Sequence, residues 1–134
     1  MQLIRAADYA VRLMIHFASL PPQTRLTREA LVKATRLPKS FIAKILQSLS
    51  RAGLITSRRG LDGGFVLAVD AREISLVDVI EAIEGPIALN VCLTTAESCE
   101  QQTRCSERQL WMQAQAAMLK VLNSQSLAQL ANNG

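Results

Sequence analysis

The chain of 134 residues contains one histidine, His16. It has no G-x-S-x-G run, no phosphate-loop motif and no paired carboxylate cluster in a basic context. Those absences argue against an enzyme. No apolar run approaches the roughly 20 residues that would span a bilayer. No basic segment followed by an apolar stretch opens the chain, so no secretory signal is expected. Three cysteines are an odd number, which excludes a closed intramolecular disulfide framework. A cytoplasmic protein with free or metal-bound thiols is the simplest expectation.

Apolar residues make up 49% of the chain and charged residues 19%, enough to bury a core. The formal charge of +4 conceals an asymmetry. Residues 1–72 carry 12 Lys and Arg against 4 Asp and Glu, a net +8. Residues 73–134 carry 3 against 7, a net −4. A basic N-terminal half suits a polyanionic partner if the fold presents the charge on one face.

Ile4, Ala7, Val11, Met14, Ile15 and Ala18 recur at three- and four-residue spacing. They predict an amphipathic helix over about 3–19, stopped by Pro21-Pro22. Thr27 is a candidate N-cap for a short helix with Ala30, Leu31 and Ala34 inward. A break at 35–38 precedes another helix, with Pro38 suited to its first turn. Phe41, Ile42, Ile45, Leu46 and Leu49 are expected to face inward, and Lys39, Ser40, Ala43, Lys44, Gln47 and Arg51 outward. Gly53 is a natural residue to end it. The period then falls to about 2. Residues 54–58 and 65–69 predict two strands around the turn Arg59-Gly60-Leu61-Asp62-Gly63-Gly64.

Ser75 caps a further predicted helix with Leu76, Val77, Val79, Ile80 and Ile83 apolar, ending at Gly85-Pro86. A last long helix, about 107–123, is expected to bury Leu110, Trp111, Ala114, Ala117, Met118, Val121 and Leu122. Pairing with a second copy would cover that wide stripe; the alternative is packing on the chain's own first helix.

Two short helices joined by a tight turn, followed by a basic hairpin, predict a winged helix-turn-helix in a mostly α fold. Residues 1–72 would form the DNA-binding domain, and 73–134 the cysteine segment and dimerisation helices. Lys39, Lys44 and Arg51 supply sequence-blind phosphate affinity. Ser40 and Gln47 suit base edges, and Ala43 offers a methyl contact. Arg58 and Arg59 sit at the hairpin tip, within reach of phosphates or a minor groove. The glycine-rich run 60–64 lies between strands rather than opening a helix, so it is no phosphate loop.

The cysteines follow Cys92-x6-Cys99-x5-Cys105, which is not zinc-knuckle spacing. As thiolates they suit a soft metal or an iron–sulfur cluster, with a fourth ligand from elsewhere. The alternative is three small apolar thiols.

Taken together, the sequence resembles the IscR- and NsrR-type winged-helix regulators. The resemblance is carried by Asp8-Tyr9-Ala10-Val11-Arg12, Lys44-Ile45-Leu46-Gln47-Ser48-Leu49 and Arg51-Ala52-Gly53-Leu54-Ile55. Arg58-Arg59-Gly60-Leu61-Asp62-Gly63-Gly64-Phe65, Ser75-Leu76-Val77-Asp78-Val79-Ile80 and the three cysteines complete it. It implies a homodimer on a palindromic operator in double-stranded DNA, most simply as a repressor. It also implies an iron–sulfur cluster on Cys92, Cys99 and Cys105 whose state sets DNA affinity. Base-reading positions would fall at Ser40, Ala43 and Arg59.

IscR-type members carry a histidine ligand three residues after the third cysteine. Here that position is Arg108, which stays protonated and cannot ligate iron. NsrR-type members use an aspartate of the first helix, supplied by the partner subunit, which Asp8 matches. Three cysteines plus Asp8 suit a 4Fe–4S cluster. The first cysteine gap is one residue longer than in either type, which leaves a 2Fe–2S cluster open. The signals that fit are nitric oxide, iron or cluster supply, and redox state. A cluster-free regulator sensing thiol oxidation, or one stabilised by zinc, is the alternative.

Overall fold

The computed structural model describes residues 4–60, 63–89, 93 and 106–132. In chain order its elements are α1 (Arg5–Ser19), α2 (Arg28–Thr35), α3 (Lys39–Arg51), β1 (Ile55–Arg58) and β2 (Gly64–Leu67). A single 3-10 turn (Ala71–Glu73), α4 (Leu76–Glu84), α5 (Arg108–Leu122) and α6 (Leu127–Asn132) follow. The fold is mostly helical with one two-stranded antiparallel wing, as the sequence predicts.

Helix α1 is the hub. Ala7, Ala10, Leu13, Met14 and Phe17 are buried on it, and α2, α3, α4 and α6 all pack against it. The stripe is turned from the one read in the sequence. Leu13 and Phe17 join it, Val11, Ile15 and Ala18 lie at its flanks, and Ile4 is exposed at the helix start. Two alanines with no exposed surface let neighbouring backbones approach closely, while Leu13 and Met14 fill the space between them.

Local chemistry sets the helix ends. Thr27 Oγ1 accepts from the Ala30 N–H at 3.0 Å and caps α2. The α2–α3 turn bends at Arg36, a non-glycine in the left-handed region (φ 59°), whose N–H donates to Val32 O at 2.8 Å. Buried Leu37 plugs the turn, and Pro38 serves as the N-cap of α3 rather than a residue of its first turn. At the far end Gly53 takes φ 80° and redirects the chain into β1. Ser75 and Asp78 form a reciprocal capping box at α4.

Ala34, read as inward on α2, is exposed, and three further expectations need correction. Phe41 does not face inward. It is 38% exposed on the flank of α3, where its ring meets Tyr9 edge-on at 5.5 Å. Helix α5 buries none of its residues within one chain; Leu110 is 66% and Val121 70% exposed, with Trp111 and Met112 also exposed. Its inner edge, Met118, Leu119 and Leu122, meets Val77, Ile80 and Ile87, so it rests on the α4 side of the molecule. The third correction is an element missed altogether: α6 follows α5 and tucks the fully buried Leu127 under α1. It has a readable signal. Ser126 and Gln129 cap each other's backbone N–H groups, the S-x-x-Q pattern of a helix start.

Replacing Leu13 by Ala is expected to lower stability by about 2–5 kcal/mol, because the site is enclosed by several helices and cannot collapse. Urea unfolding followed by circular dichroism measures this.

Candidate nucleic-acid interface

Helix α3 is divided lengthwise. Ile42, Ile45, Leu46 and Leu49 are buried against the core. Lys39, Ser40, Lys44, Gln47 and Arg51 are exposed on the other side, and Ala43 is half-buried among them. The structure therefore brings all six predicted α3 residues to one outward face. Because the opposite face is packed, those groups are held at a fixed angle to the rest of the molecule. Hydrogen-bond donors and cations on a rigid helix of this width suit a major groove.

The wing extends the surface. β1 and β2 pair in the register Ile55 to Leu67, Thr56 to Val66, Ser57 to Phe65 and Arg58 to Gly64. Buried Ile55 and Val66 anchor it, while Arg58 and Arg59 are exposed at its outer end. The hairpin tip closes through a Gly63 N–H to Gly60 O bond of 3.0 Å. A side chain at Gly63 would bring its Cβ to 2.9 Å from the carbonyl oxygens of Arg58 and Gly60, so this position demands glycine. The wing also has a third, one-residue strand that the sequence does not announce. Leu26 bridges Phe65, with both backbone N–H to O bonds at 2.9 Å.

Near the wing base Asp70 accepts from the Arg72 backbone N–H, Nε and Nη2 at 2.9, 3.1 and 2.9 Å. These bonds lower the Asp70 pKa from 3.8 to about 2. Any stability from this exposed pair is present above the ordinary carboxylate range and fades as pH falls through about 2.

Cys92, Cys99 and Cys105 lie outside the described residues. Among the described residues no group of three His, Cys, Asp or Glu is placed to hold a metal ion. Asp8, the candidate oxygen ligand, is on the first turn of α1 and half-exposed. Its carboxylate pairs with Arg12 Nη2 at 3.0 Å, one helical turn on. Such an exposed pair contributes only a few tenths of a kcal/mol, so the carboxylate is easily redirected to another partner. Arg12 also stands 6.0 Å from the Tyr9 ring centre. Arg108 opens α5, and its Nη1 donates to Met112 Sδ at 3.3 Å.

No helix among the described residues is long and apolar enough to cross a membrane. The family model described as Rrf2, iron-dependent transcriptional regulator, matches residues 3–133. An HTH-type transcriptional regulator of Mycobacterium tuberculosis is 31% identical over 131 residues, covering 98% of this chain and 81% of that protein. The global cysteine regulator CymR of B. subtilis superposes with a TM-score of 0.81 at 26% identity, over 100% of this chain and 98% of that one. The oxidized form of Staphylococcus aureus CymR gives 0.74 at 30% identity, over 98% and 96%. IscR of T. potens shares the fold, with a TM-score of 0.75 at 21% identity over 99% and 88%. By its sequence and its winged-helix architecture, the chain belongs to the Rrf2 family of transcriptional regulators.

Proposed function

We propose that this regulator is a homodimeric repressor whose operator affinity is set by an iron–sulfur cluster on Cys92, Cys99 and Cys105, with Asp8 as fourth ligand. The observation that carries the DNA-binding part is the division of α3. Its polar face is exposed, as are the wing arginines, and its apolar face is buried in the core. Ser40, Ala43 and Gln47 read base edges, and Arg59 reaches a minor groove. Lys39, Lys44, Arg51 and Arg58 neutralise phosphates. Residues 1–72 do this work, and 73–134 supply the cluster segment and the dimer contact.

The donor chemistry supports the cofactor. Three thiols within one stretch of sequence, soft as thiolates, and one harder, weakly paired carboxylate would make a mixed anionic donor set suited to iron. Arg108 cannot complete it and Asp8 can. When bound, the cluster supplies a centre sensitive to nitric oxide, oxidants or iron supply. A 4Fe–4S form fits three cysteines and one oxygen ligand. The chain's own part is to turn the Asp8 carboxylate from Arg12 toward the cluster, and through α1 to set the spacing of two recognition helices. The exposed apolar face of α5, with Leu110, Trp111, Met112 and Val121, is the surface that a second copy covers.

A second reading keeps the DNA interface and drops the metal, with the three cysteines sensing oxidation as thiols. The similarity to an oxidized CymR at 30% identity favours it.

Protein purified without oxygen is expected to be brown, with near-equal iron and acid-labile sulfide, and Cys99→Ala is expected to lose both. A colourless chain that anaerobic reconstitution cannot load would move the thiol reading forward, and stoichiometric zinc would identify a structural site. Arg59→Ala is expected to weaken duplex binding and lower its sequence preference, measured by fluorescence anisotropy. Leu110→Asp together with Val121→Asp is expected to yield monomers in analytical ultracentrifugation, since a charge buried in that face has no partner.

A further inference from the structure

The bridge between Leu26 and the wing places a cation that the recognition helix and the hairpin do not account for. Leu26 sits opposite Phe65, so Thr27 stands opposite Gly64, which in turn pairs with Arg58. Thr27, Gly64 and Arg58 therefore form one cross-strand row spanning two strand spacings, about 10 Å. Arg28 follows Thr27 directly and opens α2. It is exposed and forms no ion pair with any described residue. The neighbouring Glu29 is exposed as well, and Arg28, next in the chain to Thr27, brings a cation to the edge that carries Arg58 and Arg59.

The row depends on the absence of a side chain at its centre. A Cβ at Gly64 would lie 2.8 Å from Leu26 O and 3.0 Å from Leu26 C. Those are backbone atoms, which cannot swing aside. Gly64 also takes φ 155°, a value L residues seldom adopt. With any other residue the Leu26 segment would move off the wing, and Arg28 would move with it. The hairpin cations and the start of α2 are thus one rigid edge, although they lie about thirty residues apart in the chain.

Resting on the DNA-binding reading above, we propose that Arg28 contacts a backbone phosphate of the same duplex that α3 enters, and that Gly64 is the positioning residue that holds it beside Arg58. A phosphate contact adds affinity without sequence preference, so its signature is the salt dependence of binding.

The test uses the full chain and a mixed-sequence duplex, with binding constants measured across a salt series. Arg28→Gln is expected to reduce the slope of log affinity against log salt by about 0.9 per bound chain. Its thermal midpoint should match the wild type. Gly64→Ala is expected to lower the slope similarly, and adding Arg28→Gln to it should remove little more, because the contact is already lost. Lys120→Gln, on α5, serves as the charge control and should leave the slope unchanged. An unchanged slope in Arg28→Gln overturns the proposal, as does an equal loss in Lys120→Gln. If Gly64→Ala does not fold, Arg28→Gln against its control still decides the phosphate contact. A wild-type chain with no salt-dependent duplex binding would instead overturn the DNA-binding reading, and this inference with it.

Discussion

The burial of α1 is the constraint on which the other elements depend. Its five buried side chains form a stripe that four helices share, and two of those residues are alanines with no exposed surface. Small residues set the close approach, and Leu13, Met14 and Phe17 fill the remaining volume. Each large side chain buried there contributes on the order of 1.5–3 kcal/mol. More important for function, sharing one stripe fixes the neighbours relative to one another. Leu31 of α2, Ile42, Ile45, Leu46 and Leu49 of α3, Val79 of α4 and Leu127 of α6 all belong to the same core cluster. A recognition helix needs such a foundation, because a groove rewards a fixed angle.

The same helix carries Asp8 at its exposed edge, one residue before Tyr9, whose ring meets Phe41 of α3. The candidate ligand and the recognition helix are therefore parts of one packed unit. The acidic C-terminal half plays a different part. Its α5 presents a broad apolar face and only a narrow contact to α4. In the proposed function the basic half meets a polyanion and the exposed face of α5 meets a second protein chain.

Much of this was legible in the sequence because it is local. Thr27 and Ser75 with Asp78 declare helix starts through their own side-chain bonds. Gly53 declares a stop, and the run from Arg58 to Phe65 declares a hairpin. The polar face of α3 followed from periodicity alone. What failed depends on neighbours. Phe41 has an inward spacing, yet its flank of α3 opens toward Tyr9. The apolar stripe of α5 is real, but among the described residues only its inner edge, Met118 and Leu122, is partly covered. The Leu26 bridge links segments about forty residues apart, and neither carries a local sign of it. Helix α6 is the one miss with a clear signal, the Ser126–Gln129 pair, eclipsed by the length of α5 before it. The cysteine spacing, by contrast, was visible from the start as chemistry without geometry.

In the proposed function one chain couples a thiolate-bound cluster to duplex affinity. The direct test is to select a preferred duplex with the anaerobic, iron-loaded protein, then measure affinity for it before and after a chelator removes the iron. The expected result is a change of about tenfold or more, a coupling of ~1.4 kcal/mol, for the selected duplex, with little change for a mixed-sequence control. Equal affinity for the selected duplex in the loaded and stripped forms would contradict it.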